Sequence, residues 1–334
     1  MNPALALVST SWTLVLGGDV MLNGIKPSAD VFKGIAPVVK SADLAYANLE
    51  IPLTHVGNRT SRKSAEEIAA RHQFVLRADP GHAKHFAAGG FDTVSLGNNH
   101  ALDYGPAGLA DFIRRLDKER ITWFGVGRNW REARRLQVHE VGGIRVGFLS
   151  FLSFNSPQAM RKCTPATGKA AGVATLTITG LPDKKAIPIV KAIVDSAKRE
   201  CDLLAVALHW GIEKQTQPAP NQVRLGRMFI DQGADLVIGA HPHVLQPSEL
   251  YKGKPILYSL GNLISPRGGA TALYRLRFEG AELRGVDYFP AKISGGKVAL
   301  TGKKPSRPKA ALSAETTLRK RYPSKQSKGL LASF

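Results

Sequence analysis

Five short apolar runs, each breaking off into polar residues suited to ligand binding, constrain this chain more than any other feature. Residues 13–16, 44–47, 93–96, 203–208 and 236–238 are uninterrupted, of strand length, and bounded by Asp, Gly or Asn, the pattern of strands buried on both faces. Between them Leu109, Phe112, Ile113 and Leu116 recur at helical spacing, as do Val190, Ile193, Val194 and Ala197. Strand alternating with helix predicts an α/β protein with a largely buried sheet. Residues 138–152 read as a hairpin turning at Gly142-Gly143, and 255–300 alternate as antiparallel strands do, so the sheet is expected to be mixed. Residues 54–73, polar and basic, and 155–185, rich in Pro, Gly, Thr and Lys, read as loops on that scaffold. Four strands open with a similar phrase, Ala42-Asp43-Leu44, Phe91-Asp92-Thr93, Cys201-Asp202-Leu203 and Ala234-Asp235-Leu236, for which turn hydrogen bonding by the Asp is the expected role.

The residues just after each strand are more telling. The first run leads into Gly17-Gly18-Asp19, the second into Asn48-Leu49-Glu50, and the third into Gly97-Asn98-Asn99-His100. The fourth ends in His209-Trp210-Gly211 and the fifth in Gly239-Ala240-His241-Pro242-His243. In open α/β sheets ligands bind beyond the carboxyl ends of the strands, where side chains from separate strands converge. Singly, each residue has a plain structural role open to it. Asp19 suits a helix cap, Asn98 and Asn99 suit turns, and His209 suits a hydrogen-bonded, half-buried position. Glu50, before Ile51-Pro52, has no cap to make, and a His-Pro-His phrase at a strand end is uncommon by chance.

Jointly, Asp19, Glu50, Asn99, His209, His241 and His243 form an O/N ligand set without sulfur, which suits one or two divalent transition-metal ions: zinc, manganese or iron. Glu50 is the candidate bridge between two ions. His100 is the candidate general acid or oxyanion-orienting group, with Asp103 three residues on to hold its ring. The two cysteines, Cys163 and Cys201, make neither a disulfide scaffold nor a Cys-rich zinc site.

The 334 residues allow one large domain or two modest ones, and no run approaches the length of a membrane span. With 46 Lys and Arg against 26 Asp and Glu the net charge is +20, which suits nucleic acid, an anionic membrane surface or an acidic polymer equally. Residues 301–334 hold nine basic residues and one acid, Glu315, so +8 of that charge sits in what is expected to be a mobile tail following a domain over 1–300. Residues 1–11 carry no Lys or Arg and do not read as a signal peptide, which makes the chain cytoplasmic by default.

The phrases Gly-Asp at 18–19, Asn-Leu-Glu at 48–50, Asn-Asn-His-Ala-Leu-Asp-Tyr-Gly at 98–105, His-Trp-Gly-x-Glu at 209–213, Gly-Ala-Asp-Leu-Val-Ile-Gly-Ala-His-Pro-His at 233–243 and Tyr-Ser-Leu-Gly-Asn at 258–262 resemble, in this order, the CapA family of bacterial capsule synthesis proteins. That family is associated with poly-γ-glutamate capsule synthesis or export and is related to calcineurin-like metallophosphoesterases. The resemblance, over roughly residues 14–264, implies an αββα sandwich of two mixed sheets flanked by helices. It implies that Asp19, Glu50 and His243 hold a first metal and that Glu50, Asn99, His209 and His241 hold a second, with His100 as the catalytic histidine. Glu213 and Asn262, within family phrases, become candidate substrate contacts. Two departures stand out: Met21 occupies the position of a metallophosphoesterase histidine, and Asn-Leu-Glu replaces a Gly-Asp motif. The resemblance also suggests association with the cell envelope. The expected activity is a metal-dependent hydrolase or transferase acting on an anionic polymer related to poly-γ-glutamate, with the capsule-synthesis machinery as partner. The alternatives are a phosphoesterase acting as nuclease or nucleotidase, and a non-catalytic polymer-binding export factor.

Overall fold

In the computed structural model the described residues are 10–60, 62–154 and 156–302. They form two large mixed sheets packed face to face, with helices on the outer faces, the sandwich expected. The first sheet runs in the spatial order Lys297–Leu300, Glu282–Ser294, Gly269–Glu279, Ser11–Val20, Leu44–Leu49, Thr93–Ser95, Thr122–Phe124, and Asn262–Ile264 also pairs with Ser11–Val20. The second runs Ser248–Tyr251, Lys254–Leu257, Leu236–Ala240, Leu203–Trp210, Ile144–Ser153, Gln137–Val141.

Period-two alternation builds three apolar layers. Leu14, Leu16, Leu44 and Tyr46 face the second sheet's Leu203, Ala205, Ala207, Leu236 and Ile238 in the central layer. The intervening Val15, Ala45 and Ala47 turn outward onto Leu109, Phe112 and Leu116 of the helix Gly105–Lys118. On the far side Leu204, Val206, Leu208 and Val237 meet Val190 and Val194 of the helix Asp183–Lys198 and Val223 and Phe229 of Pro220–Asp231. Strands covered on both faces are why the runs read as uninterrupted.

The repeated Asp has a more specific role than a turn. Each lies directly across from the first residues of the neighbouring parallel strand and clamps one of them twice, donating its own N–H to that residue's carbonyl and accepting that residue's N–H on its carboxylate. Asp43 does this to Thr13, Asp92 to Ala45, Asp202 to Arg145 and Asp235 to Leu204. The clamp sets register where a parallel ladder begins.

Residues 137–153 form the expected hairpin. The stretch 255–300 is antiparallel in part: Lys254–Leu257 pairs antiparallel with Ser248–Tyr251 but parallel with Leu236–Ala240, Asn262–Ile264 runs parallel to Ser11–Val20, and the strands from Gly269 onward are antiparallel. The loop expected over 155–185 carries the short helix Pro157–Arg161 and the strand Gly172–Val173, and the helix Asp183–Lys198 begins inside it. The tail expected over 301–334 lies outside the described residues beyond 302. Among the described residues no helix is long and apolar enough to cross a membrane.

The clamps yield a graded expectation. Asp235, whose carboxylate also takes Lys198 at 2.9 Å and Lys254 at 2.8 Å, should cost about 2 kcal/mol when changed to Ala, and the more exposed Asp43 less than about 1 kcal/mol. Urea unfolding of both variants checks the order, and equal costs would show that the clamp and its lysines do not carry the difference.

Candidate metal centre

The parallel strands of both sheets point their carboxyl ends to one edge, and the polar residues gather there. The first strand does not stop at Gly17-Gly18; it continues through them, with a register shift, to Val20. A Cβ on Gly18 would stand 2.0 Å from the Gly261 carbonyl, so only glycine lets that backbone close on the strand, where Asp19 N–H donates to Gly261 O at 2.8 Å. Asn48 and Glu50, two apart, share a face at the end of the second strand. Asn98 stitches the third strand's turn in place, donating to Leu49 O at 3.0 Å and accepting from His100 N–H at 3.1 Å. His241 and His243 take left-handed backbone, φ 94° and 59°, a strained choice for residues with a Cβ. His241 N–H donating to Asp19 Oδ2 at 3.2 Å and Lys214 N–H donating to Pro242 O at 2.8 Å hold that turn.

Asp19 and Glu50 are fully buried and His209 and His241 nearly so. Asp19, Glu50 and His209 form one group of potential ligands, and Glu50, His241 and His243 a second, with ligand atoms in each within 4.8 Å of one another. His243 Nδ1 also lies 3.1 Å from Asp19, so the side chains make one continuous nest about Glu50, without the clean division into two sets that the resemblance implies. Asn99 sits half-buried in the turn before His100, and Met21 follows the first strand with its N–H on Ile264 O.

Glu50 Oε1, His209 Nε2, His241 Nδ1, Asn99 Oδ1 and Asn48 Oδ1 are buried without a well-formed hydrogen bond, although Glu50 Oε1 and His209 Nε2 face each other at 3.3 Å. Buried polar atoms are normally partnered, and five unsatisfied ones in these strand ends, all oxygen or nitrogen, fit a divalent cation of borderline hardness. Protonation agrees. Burial pushes His209 down to about 3, and burial with His209 and His243 as neighbours pushes His241 well below the ordinary imidazole range, so both are neutral and ligand-ready. Burial raises the carboxyls of Asp19 and Glu50, Asp19 further through Glu50. His243 departs from this: burial works against its charge, but Glu50 and Asp19 prevail and lift it to about 10. Its Nδ1 meets Asp19 and Asn262 Oδ1, the latter at 3.0 Å, while Nε2 faces Glu50 at 3.8 Å. Asn262 thus orients His243.

Beside the nest, Asp103 Oδ2 holds His100 Nδ1 at 2.6 Å, which leaves the ring's chemistry to Nε2. Burial would raise the Asp103 carboxyl, yet His100 and Lys63 hold it below the ordinary range. Glu213 is exposed on the loop after the fourth strand, close enough for its charge to act on Glu50, His209 and His243.

Three residues of the site escape the sequence reading. Asn48 donates to Asp19 at 2.8 Å and lies 3.4 Å from Glu50 and 3.5 Å from His209; its spacing from Glu50 was the available signal. Phe154 lays its ring 4.6 Å from His241 and 6.0 Å from His209, at the end of the strand Ile144–Ser153. Lys63, set in a basic loop, gave no signal.

A family model described as "Bacterial capsule synthesis protein PGA_cap" matches residues 13–267. The chain is 30% identical over 297 residues to a capsule biosynthesis protein CapA of Bacillus anthracis, covering 85% of this chain and 68% of that protein. It is 29% identical to the PGA biosynthesis protein CapA of Bacillus subtilis, over 75% of this chain and 62% of that one. A probable polyglutamine synthesis accessory protein of Mycobacterium tuberculosis is 30% identical over 69% of this chain and 57% of its own. The chain therefore spans about two thirds or less of the curated relatives it matches.

Because Glu50 belongs to both groups, Glu50→Gln should abolish all tight manganese or zinc binding in calorimetric titration, whereas His209→Ala and His243→Ala should each weaken it only partly. Full-affinity binding by Glu50→Gln would remove Glu50 from the centre. A raised His243 is protonated at pH 8, and a ligating imidazole is neutral. Metal binding there should release a proton, visible as a dependence of the binding heat on buffer ionisation enthalpy, diminished in His243→Asn; release unchanged in that variant would contradict the assignment.

Proposed function

The chain belongs to the bacterial capsule synthesis protein family, and from that premise we propose that it is a metal-dependent hydrolase or transferase acting on an anionic polymer related to poly-γ-glutamate, with the capsule-synthesis machinery of the cell envelope. One observation carries the reading: buried oxygen and nitrogen atoms without well-formed hydrogen bonds meet at the strand ends, beside a histidine whose second nitrogen is held by a carboxylate. Asp19, Glu50, Asn99, His209, His241 and His243 would hold one or two ions of manganese, zinc or iron. When bound, such an ion supplies Lewis acidity toward the oxygen of the group under attack.

The chain's own residues supply the rest. Asn48 keeps the two buried carboxylates apart and oriented. Asn262 turns His243 Nε2 toward Glu50, the arrangement in which a ligating histidine is fixed through its other nitrogen. Asp103 fixes a proton of His100 on Nδ1, so Nε2 faces the substrate: carrying a second proton it donates to the leaving group, and without one it accepts a proton. Phe154 covers the imidazoles of His209 and His241 and excludes water from that side. Glu213, exposed on the loop after the fourth strand, would accept from the polymer's amide N–H groups.

The +20 charge also favours phosphodiester cleavage in nucleic acid, and Met21 in place of a histidine favours a polymer-binding factor without catalysis. Manganese- or zinc-loaded protein should shorten poly-γ-glutamate in size-exclusion chromatography, and His100→Gln should slow this by about 10²- to 10⁴-fold at unchanged metal content. Turnover of phosphodiesters alone selects the phosphoesterase, polymer binding without cleavage selects the export factor, and full activity of His100→Gln rejects its catalytic role.

A further inference from the structure

Lys63 is a charged side chain from a polar, basic loop, yet it is buried, its side chain 1% exposed. Such burial is costly unless the ammonium is paired and hydrogen-bonded. Its three hydrogen-bond donors are accounted for: Asp103 Oδ1 at 2.5 Å, Phe74 O at 2.8 Å and Asn99 O at 3.2 Å. His100 Nδ1 lies 3.3 Å away, and Asp103 claims that nitrogen through Oδ2. The loop adds a second hold on the same carboxylate, Leu76 N–H donating to Asp103 Oδ2 at 2.7 Å. One side chain therefore touches both the carboxylate that orients His100 and the backbone of Asn99, whose own side-chain oxygen is buried and partnerless.

We propose that Lys63 is a positioning residue: it fixes Asp103, and through it the ring and tautomer of His100, and it holds the Asn99–His100 backbone against the nest. The inference deepens the catalytic reading given above and rests on it for its kinetic consequence. The orientation itself is independent of any activity. With Lys63 in place, Oδ1 of Asp103 is occupied, Oδ2 is committed to Nδ1, and His100 presents Nε2. Without it, Oδ1 of Asp103 loses its partner, the carboxylate is held by the Leu76 N–H alone beside His100, and the imidazole exchanges tautomers more freely.

The test uses the full chain in four forms: wild type, Lys63→Met, Asp103→Asn and the double variant, which removes both buried charges while keeping their volume. Long-range proton–nitrogen spectra of the imidazoles should show His100 as a single Nδ1-protonated tautomer in the wild type and a mixture in Lys63→Met. With manganese-loaded protein and poly-γ-glutamate or bis(p-nitrophenyl) phosphate as probe, Lys63→Met should lower kcat about 10- to 100-fold, the scale of a catalytic group displaced by about an ångström, with KM unchanged. In the Asp103→Asn background the same substitution should add little, because the group it acts through is gone. A single unaltered His100 tautomer in Lys63→Met overturns the proposal, as does an equal effect of Lys63→Met with and without Asp103. If Lys63→Met does not fold, comparison of Asp103→Asn with the double variant decides by the same criterion of an added effect. Absence of turnover on both probes in the wild type counts against the catalytic reading, while the imidazole spectra still judge the role of Lys63.

Discussion

Two carboxylates with no solvent exposure, Asp19 and Glu50, stand at the seam between the sheets, and the rest of the edge is arranged around the cost of burying them. An ionised carboxylate leaves water only when it is paired or well hydrogen-bonded. Asp19 meets that condition inside the protein: Asn48, the His241 N–H and His243 all donate to it. Glu50 meets it less well: Oε2 has only Asn48 at 3.4 Å, and Oε1 makes no well-formed hydrogen bond, with His209 Nε2 at 3.3 Å and His243 Nε2 at 3.8 Å. A buried acceptor left incomplete beside two neutral imidazoles is a place for a cation.

Placing those groups is the work of the parallel strands. A strand end can be aimed only as well as its register is fixed, because a slip of one residue turns every side chain to the other face. The Asp clamps fix register at the opposite end of the ladders, where Asp43, Asp92, Asp202 and Asp235 each seize the adjoining strand. Two of the clamped pairs lie in each sheet, and the strands they join include all five that end at the nest. Stability and site geometry are thereby coupled: the residues that start the ladders and those gathered at their ends are separated by one strand length.

That coupling explains what the sequence revealed. The apolar runs were legible as strands because both faces are covered, and the ligand candidates because each comes directly after such a run. The clamps were visible as a repeated phrase, but a partner on another strand cannot be inferred from the phrase, so a local turn was the natural expectation. Gly17-Gly18 read as the end of a strand because glycine is rare within one; here close approach of the Gly261 backbone demands it. Lys63 was opaque for a different reason. Burial of a lysine depends on three acceptors from residues 74, 99 and 103, and no local pattern announces an acceptor set assembled from distant turns.

Strain at the His-Pro-His turn arises from the same requirement. Left-handed backbone at His241 and His243 costs of order 1 kcal/mol or more each, and glycine would relieve it but supply no imidazole. Pro242 is locked between them, its carbonyl taken by Lys214 N–H from the loop that carries Glu213. Gln246 in turn donates to the carbonyls of Gln215 and Gln217 and accepts from Gln222, so the wall of the site is tied to the helix Pro220–Asp231. The strained turn is thus held from two sides, by Asp19 beneath and by this loop above. Contacts within the protein thus aim both imidazoles into the nest. Geometry is thereby fixed locally at the nest, whereas the +20 net charge of the chain acts at longer range and without geometric preference.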